Sequence, residues 1–237
     1  LIIVMTGTIE MLRSQTQRRI DMEMVGRQNI LGDLSPEDAA TSGVDYQDDE
    51  SWVNDRFSDF GEGELATEIR RLTHHHKDYQ KQFKTLKIER FEPGKPLFDP
   101  QNLFRTSARL AVVKKNAAVL RKLVNDIRAN EKAFAEIPVL IIDDESDQAS
   151  VNTVDPAKVK AAKREGKEMK ERRAVNEQIA AMLELMPRAQ YVGYTATPFA
   201  NVFVDPSDPH GIFPEDFLIN LPRPAGYTGV DDFHDLN

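Results

Sequence analysis

The stretch Val139-Leu140-Ile141-Ile142-Asp143-Asp144-Glu145-Ser146-Asp147 decides the fold class of this chain. Four consecutive apolar residues are typical of a strand that is buried on both faces of a sheet. The acidic residues that follow end the strand and predict a polar site at its carboxyl end, which is where parallel α/β sheets bind ligands. An ordinary strand followed by a solvated acidic turn gives the same pattern, so the pattern alone leaves both interpretations open.

The segments on either side of this stretch alternate between strand and helix patterns. Apolar runs predict strands at 1–5, 85–91, 110–113 and 191–194, and helical spacing predicts helices at 9–25, 64–83, 117–134, 156–173 and 176–186. Strands that alternate with helices predict an α/β fold with a mostly parallel sheet and helices on both faces. We therefore predict one domain over residues 1–237. It has an Asp-, Gly-, Ser- and Pro-rich insertion at about 30–95 and a charged helical segment at about 156–175.

Composition limits the classes of function. The chain has 31 basic and 39 acidic residues and a net charge of −8, which argues against histone-like wrapping of nucleic acid but allows a local groove. It has no cysteine, so a disulfide framework and a cysteine-ligated zinc site are excluded. No apolar run approaches the length of a membrane span. We predict a cytoplasmic protein with no membrane partner.

The acidic tip of the 139–147 stretch has the Walker B pattern, in which a buried strand delivers Asp and Glu at its end. Asp144 is the candidate ligand of magnesium, through water, and Glu145 is the candidate general base that polarises the attacking water. Clustered carboxylates repel one another, and a cation relieves that repulsion. Asp144 and Asp147 are the candidate cofactor-binding residues, and the cofactor they predict is ATP with magnesium.

A second motif, Tyr191-Val-Gly-Tyr-Thr-Ala-Thr-Pro198, places small hydroxyl residues at the end of another apolar run. The hydroxyls of Thr195 and Thr197 are expected to hydrogen-bond near Asp147 and to couple the nucleotide state to bound DNA. Alone, the motif is equally compatible with an ordinary turn in which Pro198 ends the strand.

A third group of residues suggests contacts with a nucleic-acid backbone. The chain opens with a strand, a small-residue turn and a polar helix start, and hydroxyls, amides and a helix N-terminus are suited to phosphate. Two lysines also follow the run at 110–113. A solvated helix face and a capped sheet edge remain the alternatives. The candidate nucleic-acid-binding residues are Thr6, Thr8, Arg13, Gln15, Lys114 and Lys115.

The phosphate-binding loop G-x-x-x-x-G-K-[ST] is not found in the 237 residues. Gly94-Lys95 is followed by proline, and Gly166-Lys167 is followed by glutamate. In the order of helicase motifs this loop precedes the first strand, so we expect it upstream of Leu1. We accordingly expect the 237 residues alone to bind neither ATP nor magnesium appreciably.

Four blocks together resemble the bacterial Z-one domain: Leu1–Thr8 with Arg13–Arg19, Val113–Asn116, Leu140–Ser150 and Tyr191–Asn201. That domain occurs in large proteins regarded as endonucleases, often near restriction or phage-defence genes, and it is similar to the first motor domain of superfamily-two helicases. The resemblance implies a RecA-like domain that couples ATP hydrolysis to DNA. It also implies that residues 144–147 are the DExD box and residues 195–197 the coupling motif. Ser146 departs from the alanine common at that position.

The resemblance also implies partners: DNA, the upstream loop, a second motor domain, and a nuclease domain or subunit. Two other functions remain open. One is a DNA-binding or protein-docking module with a degenerate motor fold and no ATPase activity. The other is a metal-dependent nuclease, suggested by Glu165-Gly-Lys167 and Glu168-Met-Lys170, although their strong helix propensity disfavours the strand that such a site needs. His74-His75-His76 is a poor metal site, because adjacent helical residues point in different directions.

Overall fold

A computed structural model of the protein describes residues 1–32, 46–58, 69–81, 86, 88–149, 163–197, 212, 216–222 and 224–226. Its five strands are β1 (Ile2–Thr6), β2 (Ile69–Arg71), β3 (Ala108–Lys114), β4 (Val139–Asp144) and β5 (Ala189–Tyr194). Its α-helices within these ranges are α1 (Glu10–Ile20), α2 (Gly26–Gly32), α3 (Glu50–Val53), α4 (Pro100–Leu103), α5 (Ala117–Ala129), α6 (Glu131–Phe134), α7 (Ser146–Ala149) and α8 (Lys163–Leu185). A π-helical turn, Asp21–Val25, joins α1 to α2.

The strands form one sheet in the order β2-β3-β1-β4-β5, and every pair is parallel. Ile3 lies in register with Ala111 of β3 on one side and with Ile141 of β4 on the other. This confirms the predicted α/β class and its parallel sheet. After β1 the chain continues towards one edge of the sheet, and after β3 it crosses to the other. The order therefore reverses between β1 and β4, and ligands of such sheets bind outside the carboxyl ends of strands at that point.

Apolar residues that alternate along the strands build a core on each face. Ile3 and Met5 point into the larger cluster, where helices α5 and α8 cover the sheet. Val4, between them, points to the opposite face and joins a smaller cluster with Val25 and Ile30. Helix α5 begins where its pattern predicts, because the Asn116 side chain accepts hydrogen bonds from the backbone of the first turn.

Two predicted elements between residues 64 and 91 are wrong. The predicted helix at 64–83 contains the edge strand β2, and residues 72–81 continue in turns and extended chain. The predicted strand at 85–91 forms no strand at the residues described there, 86 and 88–91. The apolar spacing failed because β2 has only three residues, two of them arginines. Its buried Arg71 forms an ion pair with Asp21, and Ile69 is its one apolar residue.

The predicted insertion at 30–95 includes this edge strand, and Leu72, Tyr79 and Leu86 contribute to the larger core. The two predicted helices at 156–173 and 176–186 form the single helix α8, and residues 156–162 lie outside the described part. Among the helices that the structure describes, none combines the length and the apolar character needed to cross a membrane.

Candidate functional site

The acidic turn, residues 144–147, runs from the end of β4 into the short helix α7 and is the centre of the candidate site. Burial alternates along β4, so that Asp143 points into the core while Asp144 is exposed on the other face. The next residue, Glu145, has a φ of 54°. A non-glycine residue in this left-handed conformation carries a strain of about 1–3 kcal/mol, and such strain persists only where neighbouring groups hold it.

Lys115 supplies part of that support. Its side chain is completely buried, and its Nζ donates hydrogen bonds of 2.6 Å to the backbone oxygens of both Asp144 and Glu145. The same Nζ lies 2.9 Å from Oδ1 of Asp143, and the hydroxyl of Tyr191 donates to Oδ2 of Asp143 over 2.5 Å. The ends of β3, β4 and β5 are thus joined beneath the turn. This corrects the prediction that Lys115 contacts nucleic acid, because its ammonium group is bound within the protein.

Gly7, the residue directly after β1, lies against the side chain of Glu145. A Cβ built on Gly7 would lie 2.7 Å from Oε2 of Glu145, so only glycine leaves the carboxylate this space. A cleft of about 180 Å³ opens here, outside the carboxyl ends of β1 and β4. Its lining residues are Gly7, Leu12, Gln15, Thr16, Arg19, Asp144 and Glu145. Asp144 and Glu145 therefore share one cleft with a polar face of α1.

The threonines that follow β5 contact the acidic turn from its other side. Thr195 Oγ1 donates to Oδ1 of Asp147 over 2.7 Å, and Thr197 Oγ1 donates to Oδ2 over 2.5 Å. Thr197 also donates its backbone N–H to Thr195 Oγ1 over 2.9 Å. Partial burial raises the pKa of Asp147, but hydrogen bonds from Thr197, Thr195 and its own backbone N–H, together with the charge of Lys115, lower that pKa below the usual range. The predicted contact between the two strand ends is confirmed.

The candidate nucleic-acid-binding residues divide into exposed and buried ones. Thr8 and Gln15 are exposed, and Gln15 lines the cleft. Lys114 retains 27% side-chain exposure and forms a 2.8 Å ion pair with Glu10. These three residues lie near the carboxyl edge of the sheet, where a polyanion could reach them.

Thr6 and Arg13 are buried, which corrects their assignment as nucleic-acid contacts. Thr6 is 1% exposed, and its hydroxyl lies 3.4 Å from the backbone oxygens of both Gly7 and Val113, to either of which it can donate. Arg13 has no exposed side-chain surface. Its guanidinium donates to the backbone oxygens of His74 and His75, so it holds α1 against the chain that follows β2.

The acidic turn offers carboxylate oxygens as candidate metal ligands. In the described ranges, no group of three or more His, Asp or Glu side chains is arranged to hold a metal ion. Magnesium in nucleotide sites keeps several waters and uses one or two carboxylates together with substrate phosphates. The exposed carboxylate of Asp144, beside that of Glu145, fits this requirement. Of the three consecutive histidines at 74–76, His75 contacts a side chain of the protein: its Nδ1 lies 3.0 Å from the Ser14 hydroxyl.

Three residues important to this geometry were not predicted from the sequence: Gly7, Asp143 and Tyr191. A usable signal was present for Asp143. The alternation along β3 and β4 places Lys115 on the face of Ala111 and Val113, and Asp143 on the face of Ile141. Two opposite charges on the buried face of neighbouring strands predict an ion pair.

Comparisons of the chain with protein-family models, curated proteins and solved structures found no match. The class of the protein is defined by its own fold: it is an α/β protein with an all-parallel five-stranded sheet. Its acidic turn lies at the point where the strand order reverses.

Proposed function

We propose that this chain is the first, RecA-like motor domain of an ATP-dependent DNA motor associated with an endonuclease in a restriction or phage-defence system. One observation carries the proposal. Asp144, Glu145 and Asp147 lie on one turn after a central strand, and Asp147 accepts hydrogen bonds from Thr195 and Thr197 of the neighbouring strand end. This arrangement combines a Walker B acid pair with a contact through which its state can be transmitted.

In the proposed mechanism, Glu145 is the general base that accepts a proton from the water attacking the γ-phosphate. Asp144 is the exposed carboxylate that would hold magnesium through water. Bound magnesium would neutralise charge on the β- and γ-phosphate oxygens. The left-handed backbone at Glu145 supports these roles, because strain of this kind clusters at functional sites.

DNA is proposed to lie along the carboxyl edge of the sheet next to the acidic turn. Thr8 and Gln15 are exposed there, and Lys114 adds a partly exposed positive charge. Contacts of this kind reach the phosphate backbone and carry no sequence information. Gln15 and Glu145 line the same cleft, so DNA bound to α1 would lie next to the acidic turn.

ATP hydrolysis also needs a phosphate-binding loop, whose backbone amides and lysine neutralise the phosphates. We propose that another segment of the motor supplies this loop and that a second motor domain completes the nucleotide site. A nuclease domain or subunit is the proposed effector.

A DNA-binding or protein-docking module without ATPase activity is the second candidate function. It is favoured by the lack of a G-K-[ST] loop within the 237 residues. A nuclease based on residues 165–170 has less support, because this segment lies in helix α8 and not on a strand of the sheet.

The experiment measures ATP turnover and nucleotide binding by the full-length protein with and without DNA. Glu145→Gln is expected to abolish turnover while leaving nucleotide binding intact, since the amide keeps the shape but cannot accept the proton. Asp144→Ala is expected to weaken binding of the magnesium–nucleotide complex as well. Glu184→Gln, an exposed position on α8, is the matched control. Near-normal hydrolysis by Glu145→Gln would reject the assignment, and a wild-type protein that binds DNA without hydrolysing ATP would favour the docking module.

A further inference from the structure

We infer that Lys115 is a positioning residue for Glu145: its buried ammonium group fixes the backbone of the acidic turn and thereby the position of the proposed base. This inference rests on the proposed function for its catalytic meaning, whereas the clamp itself is a structural claim. Lys115 would thus act through Glu145 and would contact neither nucleotide nor DNA.

The ammonium group of Lys115 is surrounded by oxygens of the strand that carries the acidic turn. Three acceptors surround Nζ of Lys115: the backbone oxygens of Asp144 and Glu145, each at 2.6 Å, and the Asp143 carboxylate at 2.9 Å. Two of its three N–H donors bind the backbone oxygens, and the Asp143 carboxylate lies beside the same ammonium group as its ion-pair partner. Hydrogen bonds from a charged donor are roughly twice as strong as neutral ones, and burial reduces competition from water.

These contacts constrain the backbone of the acidic turn. Two consecutive carbonyl groups bound to one nitrogen fix the orientation of both peptide planes, and therefore the backbone of Glu145 between them. That residue has a φ of 54°, a conformation that a glutamate rarely adopts without support. On the other side, Gly7 leaves room for the Glu145 carboxylate at the cleft. Lys115 thus holds the backbone of Glu145, and Gly7 leaves the space that its side chain occupies.

A double variant distinguishes this clamp from a simple buried ion pair. If Lys115 only neutralised Asp143, removing both charges together would restore the site, because the isolated buried charge would be gone. If Lys115 positions the turn, the double change restores stability but not the geometry of Glu145. The expected loss is large, since a misplacement of about 1 Å at a reacting group costs about 100-fold in rate.

The experiment therefore compares Lys115→Met with the double variant Lys115→Met/Asp143→Asn in the full-length protein. Lys122→Met, on the exposed side of α5, is the control. Thermal unfolding, kcat and KM for ATP, and amide hydrogen exchange at residues 144–147 are measured for each. We expect the double variant to recover much of the stability lost by the single one. In both, kcat is expected to fall about 100-fold, KM to stay within about a factor of two, and exchange in the turn to become faster.

Each contrary result has a defined meaning. Unchanged exchange in the turn of the double variant overturns the clamp, whether or not the protein is an ATPase. Faster exchange with wild-type kcat shows that the clamp exists but does not position the base, which overturns the inference. If the wild-type protein hydrolyses no ATP, the proposed function fails, and the exchange measurement still decides whether Lys115 holds the turn.

Discussion

The hydroxyl of Thr195 donates a 2.7 Å hydrogen bond to Oδ1 of Asp147, joining the chain that follows β5 to the turn that follows β4. Thr197 occupies the second oxygen of the same carboxylate. Asp147 is two residues beyond Glu145, so movement of the acidic turn would change this contact directly. The Thr195–Asp147 contact therefore connects the turn that carries the proposed base to the end of the neighbouring strand.

Replacing both threonines tests whether this contact couples hydrolysis to DNA. In the full-length protein, Thr195→Ala/Thr197→Ala removes two hydroxyls and little volume, so the fold should survive. Each lost hydrogen bond costs about 1 kcal/mol. We expect basal ATP turnover to persist and its stimulation by DNA to be lost, as measured by steady-state hydrolysis with and without DNA.

Thr106→Ala is the matched control for the double variant, because its hydroxyl bonds the backbone oxygen of Asn102 at a distance from the turn. A double variant that remains fully stimulated by DNA would refute the coupling role. Loss of basal turnover together with stimulation would instead place the threonines in the hydrolytic site.

The same hydroxyls control the ionisation of Asp147. Burial raises its pKa, but hydrogen bonds from Thr197, Thr195 and its own backbone N–H and the charge of Lys115 together bring that pKa below the usual value of 3.8. A group with a lowered folded-state pKa contributes stability above its unfolded pKa, and this contribution is lost as the pH falls through the folded value. We expect Thr195→Val/Thr197→Val to raise the pKa of Asp147, measured by NMR titration of its side-chain carboxyl carbon. An unchanged titration would mean that the hydroxyls do not bind this carboxylate in solution.

Four of the five described strands could be predicted from the sequence, because a continuous apolar run is typical of a strand that is buried in a parallel sheet. β4 and its acidic end were located within two residues, since Val139–Ile142 is uniformly apolar and the acidic residues then break the run. β2 could not be found in this way. Its burial depends on Arg71 pairing with Asp21, 50 residues away in sequence. A local pattern contains no information about such a partner.

The residues of the candidate site also fall into two groups: those that a local sequence pattern predicts and those whose place depends on distant partners. Asp144, Glu145, Asp147, Thr195 and Thr197 were identified because they end apolar runs. The sequence pattern predicts Lys115 and Arg13 as nucleic-acid contacts, and isolated cations are seldom fully buried. Both are buried because distant backbone oxygens accept their hydrogen bonds. The alternation along neighbouring strands could have predicted the Lys115–Asp143 pair, whereas nothing local indicated the partners of Arg13.

The buried Asp21–Arg71 pair allows a stability prediction. Both side chains have no exposed surface, and Asp21 also accepts hydrogen bonds from Gln17 and Tyr46. Removing one member of such a pair leaves an uncompensated buried charge and costs about 3–5 kcal/mol. We expect Asp21→Ala to lower the free energy of unfolding by that amount in urea denaturation. Asp21→Ala/Arg71→Leu is expected to lose less, and a double variant as unstable as the sum of its single changes would show that the pair is not coupled.

Gly7→Ala tests whether the position of the Glu145 carboxylate matters for turnover. The added methyl group would lie 2.7 Å from Oε2 of Glu145, which is too close for two non-bonded atoms, so one of them must move. The atom that meets the methyl group is at the end of a flexible side chain, so we expect the carboxylate to shift while the backbone stays in place. Gly7 needs no left-handed backbone, so alanine introduces no strain of its own.

The expected result of Gly7→Ala is a kcat lowered by about 100-fold, the order associated with a 1 Å misplacement, with a melting temperature close to that of the wild type. Steady-state ATP hydrolysis and thermal unfolding of the full-length protein measure the two effects. Gly94→Ala is the matched control, because a Cβ there meets no atom within 4 Å and its backbone is likewise not left-handed. If Gly7→Ala turns over ATP as fast as Gly94→Ala, the Glu145 carboxylate is not the base at this position. A large fall in melting temperature would instead show that Gly7 is needed for packing of the turn, because the methyl group would then have displaced backbone rather than the end of a side chain.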